Sequence, residues 1–78
     1  MSNYRIIRTI QELPHGDETL LSIHVVSYDT EGNPDMVTRS AVAPIGNDLG
    51  DLHGEINKYK RALKKPILNM TDLKVGGE

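Results

Sequence analysis

The chain has 78 residues, with nine basic and eleven acidic side chains and a formal net charge of −2. It contains no Cys, Phe or Trp, which excludes disulfides and thiolate metal sites and leaves a core of aliphatic residues and three Tyr. The slightly acidic balance argues against a nucleic-acid or membrane surface working through bulk charge, and no apolar run reaches the ~20 residues that span a bilayer.

Residues 4–13, YRIIRTIQEL, are rich in β-branched side chains and read as a first strand. PHGDE at 14–18 then supplies a loop, since Pro14 restricts its predecessor and Gly16 and Asp17 suit a turn. Residues 19–28, TLLSIHVVSY, form the most strand-like segment, opened by Thr19. Leu21, Ile23 and Val25 line one face, and Leu20, Val26 and Tyr28 line the other. A strand apolar on both sides is usually covered on both sides.

The segment DTEGNPD at 29–35 carries three acids and a glycine. A calcium loop needs alternating oxygen ligands before its glycine and a bidentate carboxylate in twelfth position. Gly32 comes too early for that pattern, and the twelfth residue from Asp29 is Ser40. The segment reads instead as a turn, with Asp29 capping it, Gly32 at positive φ and Pro34 setting the exit. MVTRSAVA at 36–43 is the third strand of the reading.

PIGND at 44–48 breaks the strand pattern, and Asn47 or Asp48 can cap a helix. Leu49, Leu52, Ile56, Tyr59 and Leu63 then recur at amphipathic spacing, which predicts a helix over about residues 47–65 with these five facing the sheet. Acids early and bases late suit the helix dipole. Pro66 ends it. Beyond it, Ile67, Leu68, Met70 and Leu73 make an apolar arm, and residues 74–78 are expected to fray. The reading is thus one α+β domain over residues 1–78: a three-stranded antiparallel meander ordered 1-2-3, a helix on one face, and a C-terminal arm.

Candidate chemistry is sparse. His15, His24 and His53 form no local ligand pair, and a His24–His53 site would need the fold to bring them together. No serine stands in a nucleophile elbow, and no phosphate loop is present. Asp48 and Asp51 read as helix capping. No catalytic residue, metal ligand or cofactor is therefore expected, and the chain reads as a non-enzyme. Lys58, Arg61, Lys64 and Lys65 make a basic patch at the helix end, for which a solvated face explains more than a phosphate grip does.

The residues Tyr28, Asp29, Gly32 and Pro34, followed by Ala62, Leu63, Pro66, Ile67 and Leu68, carry a pattern that resembles a group of small uncharacterised bacterial proteins. The group runs strand, YD-x-x-G-x-P turn, strand, helix and PIL. The resemblance implies a fold and a bacterial source and no activity. GNDLGDL at 46–52 is more distantly similar to the helix start of HicB-type antitoxins. The expected function is a small protein–protein interaction module, with a HicB-like antitoxin binding a toxin or RNA as the alternative. A cytoplasmic setting is expected, because the first residues lack an export-signal pattern. The expected partner is a second copy or another protein, with nucleic acid and membrane set aside. The meander leaves one face of its central strand open, so Leu20, Val26 and Tyr28 are the expected dimer or partner face unless the arm covers them.

Overall fold

The computed structural model describes residues 1–76. Strand β1 (Ser2–Leu13) and strand β2 (Gly16–Tyr28) form a long antiparallel hairpin, in register from Ser2↔Ser27 to Leu13↔Gly16. Only Pro14 and His15 connect them. Gly16 takes φ +131, a value that L side chains rarely adopt. That glycine lets the chain reverse within two residues, so β2 opens at Gly16 rather than at Thr19.

Strand β3 (Pro34–Val37) pairs antiparallel with β2 through Val26↔Val37, with a bulge between Ser27 and Tyr28. The linking turn is built by Asp29, whose Oδ1 accepts the backbone N–H groups of Glu31 and Asn33, each at 2.9 Å. Gly32 sits at φ +84 and donates its N–H to the Asp29 carbonyl at 3.0 Å. β3 is shorter than the expected 36–43. Past Val37 the regular ladder ends, and the backbone bonds to β2 are Thr38 N–H to Val25 O and Val42 N–H to Ile23 O.

Helix α1 (Leu49–Ala62) is capped by Asp48, which accepts the Asp51 N–H at 2.8 Å. It stops short of residue 65. The N–H groups of Leu63, Lys64 and Lys65 turn back to carbonyls three residues earlier, in a tightened final turn. Pro66 disfavours helical geometry at Lys65. The contact line also differs from the expected stripe. Tyr59 and Ala62 are buried and Leu52 and Glu55 half-buried, whereas Leu49 and Leu63 are 81% and 69% exposed. Tyr4 sets this line. Its ring meets Tyr59 edge-on at 4.6 Å, and its hydroxyl donates to Glu55. A polar tether at Glu55 thus displaces Ile56 from the position that periodicity alone assigns it.

The segment after Pro66 corrects the expected topology. Leu68–Asn69 forms strand β4, parallel to β1 at Ile7 and Arg8. Met70–Asp72 is a 3-10 turn, and Lys74–Val75 forms strand β5, parallel to β3 at Met36 and Val37. The described residues therefore form a small α+β domain with one α-helix and a mixed five-stranded sheet ordered β4-β1-β2-β3-β5. A flat sheet of that order would hold its outer strands about 19 Å apart. The five steps from Asn69 to Lys74, tightened by the 3-10 turn, reach less than about 17 Å. The sheet must therefore curl until its edges approach. Residues 74–76, expected to fray, are paired: the Gly76 N–H reaches the Val37 carbonyl at 3.0 Å. Residues 77–78 of that expectation lie outside the described residues.

Side chains alternate across the sheet. Tyr4, Ile6, Ile23 and Val25 share the helix side. Ile7, Val26 and Val37 share the other, where they are fully buried with Tyr28, Leu68, Met70 and Leu73 packed around them.

Candidate functional site

Arg5 is in phase with Ile7, so its position on β1 directs it to the curled interior. It is 8% exposed. One terminal nitrogen donates to the Tyr28 hydroxyl at 2.8 Å, and the other donates to the Pro66 carbonyl at 2.9 Å. Tyr28 in turn donates to Asn3 Oδ1 at 2.7 Å. The Arg5 Nε–H has no partner among the described residues. Arg5 thus ties the start of β1 to the end of β2 and to the exit of the helix, using neutral acceptors only. A cleft of about 550 Å³ opens here, lined by Asn3, Arg5, Tyr28, Asp29, Lys65 and Pro66 among others.

A second cleft of about 420 Å³ lies between the helix end and the hairpin, lined by Asn3, Tyr4, Lys58, Arg61 and Lys65 among others. The two clefts adjoin at Asn3 and Lys65. Three members of the sequence-derived basic patch, Lys58, Arg61 and Lys65, therefore belong to one groove, while Lys64 is exposed and outside its lining. Arg5 was not among the candidate residues. Its signal was a cation in phase with Ile7 on a strand whose neighbours face a core.

The groove is bordered by an electrostatic tether. Tyr4 is pushed up to about 12, mainly because its hydroxyl donates to Glu55, and further by burial and the Glu55 charge. The same hydrogen bond holds Glu55 below the usual glutamate range, assisted by Lys58 at 3.5 Å and opposed by burial. Burial, then the Glu55 charge, pushes Tyr59 up as well. A depressed carboxylate contributes stability that is present above its unfolded value of 4.5 and is lost as pH falls through the folded value. The raised phenol contributes stability that is present below 10 and is lost as pH rises through about 12. Tyr4→Phe should therefore lower the urea midpoint at pH 7, and its gap to wild type should narrow on acidification. Parallel wild-type and Tyr4→Phe profiles between pH 7 and pH 3 would contradict this tether.

A second polar chain runs through the sheet. His24 is 4% exposed, and its Nδ1 lies 2.9 Å from the Thr38 carbonyl. A carbonyl only accepts, so Nδ1 carries the proton. In the neutral ring Nε2 then accepts the Ser22 hydroxyl, also at 2.9 Å. A hydroxyl aimed at an imidazole resembles a nucleophile and its base. However, the two clefts described above are not lined by either side chain. The chain acts as a strut that binds β2 to residue 38. His24 shares a face with Val26, whereas His53 is exposed on the helix at the opposite face, so the two do not meet.

The expected partner face is mostly interior. Val26 is fully buried beneath Leu68, Met70 and Leu73, and Tyr28 is half-buried with its hydroxyl engaged by Arg5 and Asn3. Of that set only Leu20 is at the surface. The outer hairpin carries a group of exposed apolar side chains, with Ile10, Leu20 and Leu21 at 52%, 45% and 53% exposed; a second group, Ile45, Leu49 and Leu63, lies at and around the helix. Among the described residues no helix is long and apolar enough to cross a membrane. Comparison with protein-family models, with curated proteins and with solved structures finds no match.

Proposed function

We propose that the protein is a small non-enzymatic interaction module whose outer hairpin pairs with a second copy. The exposed Ile10 and Leu21 carry this reading. β4 accompanies β1 only at Ile7 and Arg8, and β3 pairs with β2 only from Val26 onward. The outer hairpin is thus a two-stranded ribbon, a unit marginally stable on its own in water. Its helix-side face is self-complementary. Arg8 and Glu12 stand two residues either side of Ile10, so a copy packed antiparallel about a two-fold axis sets Ile10 against Ile10 and Arg8 against Glu12. Leu21 adds apolar area beside them.

Sedimentation equilibrium at micromolar concentration tests this, with a mass of twice 8.7 kDa expected for wild type. Leu21→Asp, at an exposed position, should return the mass to 8.7 kDa with the fold intact. A wild-type mass of 8.7 kDa at every concentration contradicts the pairing.

A second reading, a HicB-like antitoxin that binds RNA, draws on the groove of Lys58, Arg61 and Lys65. It requires single-stranded RNA binding at physiological salt that Arg61→Gln weakens.

A further inference from the structure

We propose that the cleft at Arg5 and Lys65 binds the phosphate of a small phosphomonoester. The inference is independent of the hairpin pairing, and it shares Lys65 and the adjoining cleft with the RNA reading. Arg5 is a nine-tenths buried cation that makes no ion pair among the described residues. A buried charge without a counter-charge costs several kcal/mol, so such a residue calls for an anion. Its present partners, Tyr28 and Pro66, are neutral and occupy two of its five N–H donors. The planar guanidinium fork matches a phosphate. Lys65 shares the cleft lining and supplies a second cation.

The charge count favours a dianion over a carboxylate. The adjoining clefts carry Arg5, Lys58, Arg61 and Lys65, of which Lys58 is shared with Glu55. The acid in their lining is Asp29, whose Oδ1 is held by two backbone N–H groups of the turn. At about 550 Å³ the phosphate cleft falls within the range of small-molecule sites. The adjoining cleft of about 420 Å³ offers room for the organic part of the ligand.

An NMR titration of the full chain at constant ionic strength tests the site, with glycerol 3-phosphate, inorganic phosphate and acetate as separate probes. Glycerol 3-phosphate should give saturable shifts at Asn3, Tyr28, Gly32 and the Arg5 Nε–H. Inorganic phosphate should bind more weakly, and acetate should not saturate. Lys65→Gln, at an exposed position, should raise the Kd about tenfold, as loss of one charge-assisted contact implies. Arg5→Lys should abolish saturation by removing the fork; if that variant fails to fold, Lys65→Gln decides. Shifts that never saturate, or a Kd unchanged in Lys65→Gln, overturn the site. Equal affinity for inorganic phosphate and glycerol 3-phosphate overturns the phosphomonoester assignment.

Discussion

Val26→Asp should leave the chain unfolded at 25 °C. Val26 is fully buried between Ile7 and Val37, with Leu68, Met70 and Leu73 packed over the cluster. Of the side chains in this cluster and packed against it only Tyr28 carries a donor, and its hydroxyl already donates to Asn3. A carboxylate there must be protonated or remain charged among aliphatic side chains, with Arg5 on the same face already donating to Tyr28 and Pro66, at several kcal/mol in either case. A single core of this size supplies about 3–5 kcal/mol in total, so the substitution removes all of it. Circular dichroism should show a disordered chain without a cooperative urea transition. Val26→Ala deletes two methyl groups and adds no charge, so it should stay folded at a loss of about 2 kcal/mol. A folded Val26→Asp with a wild-type midpoint would mean that the terminal segment does not cover this face.

A chain cut after Ile67 should fail in the same way. The cut removes β4, the 3-10 turn and β5, and with them Leu68, Met70 and Leu73. Full burial of one such side chain is worth about 1.5–3 kcal/mol. Three half-buried ones, together with the uncovered Ile7 and Val37, amount to most of the ~3–5 kcal/mol that the domain holds. Leu73→Ala is the milder control, expected to cost about 1–2 kcal/mol. A truncated chain that still unfolds cooperatively, near the wild-type midpoint, would show the hairpin and helix to be sufficient alone.

The hairpin and the helix were legible because their signals are local. Alternation of β-branched residues marks β1 and β2, and Asp48 and Pro66 bracket the helix. The two-residue strands β4 and β5 carry no period. They exist because Leu68 and Val75 lie beside residues about sixty and forty positions away, a relation set by sheet closure. The helix stripe was displaced for a similar reason: the pull of Tyr4 on Glu55 and Tyr59 comes from another element. The cleft was the least legible part. Arg5 reads locally as a break in an apolar run, and its role depends on Tyr28 and on a carbonyl 61 residues away. The basic patch was visible as composition, but its division between groove and solvent follows from where the helix ends.

The expected dimer face illustrates the same point. Leu20, Val26 and Tyr28 are correctly grouped by alternation, yet whether such a face meets a second subunit or its own chain is decided by the terminal segment. Once Leu68, Met70 and Leu73 occupy it, the aliphatic side chains that the hairpin leaves exposed lie further along it, Ile10 and Leu21 among them.

The pairing through that surface is tested most directly by isotope-filtered nuclear Overhauser spectra of an equal mixture of labelled and unlabelled chain. The account predicts contacts between subunits from the methyl groups of Ile10 and Leu21. Contacts confined to Val26 or Tyr28, or no contact between subunits at millimolar concentration, would contradict it.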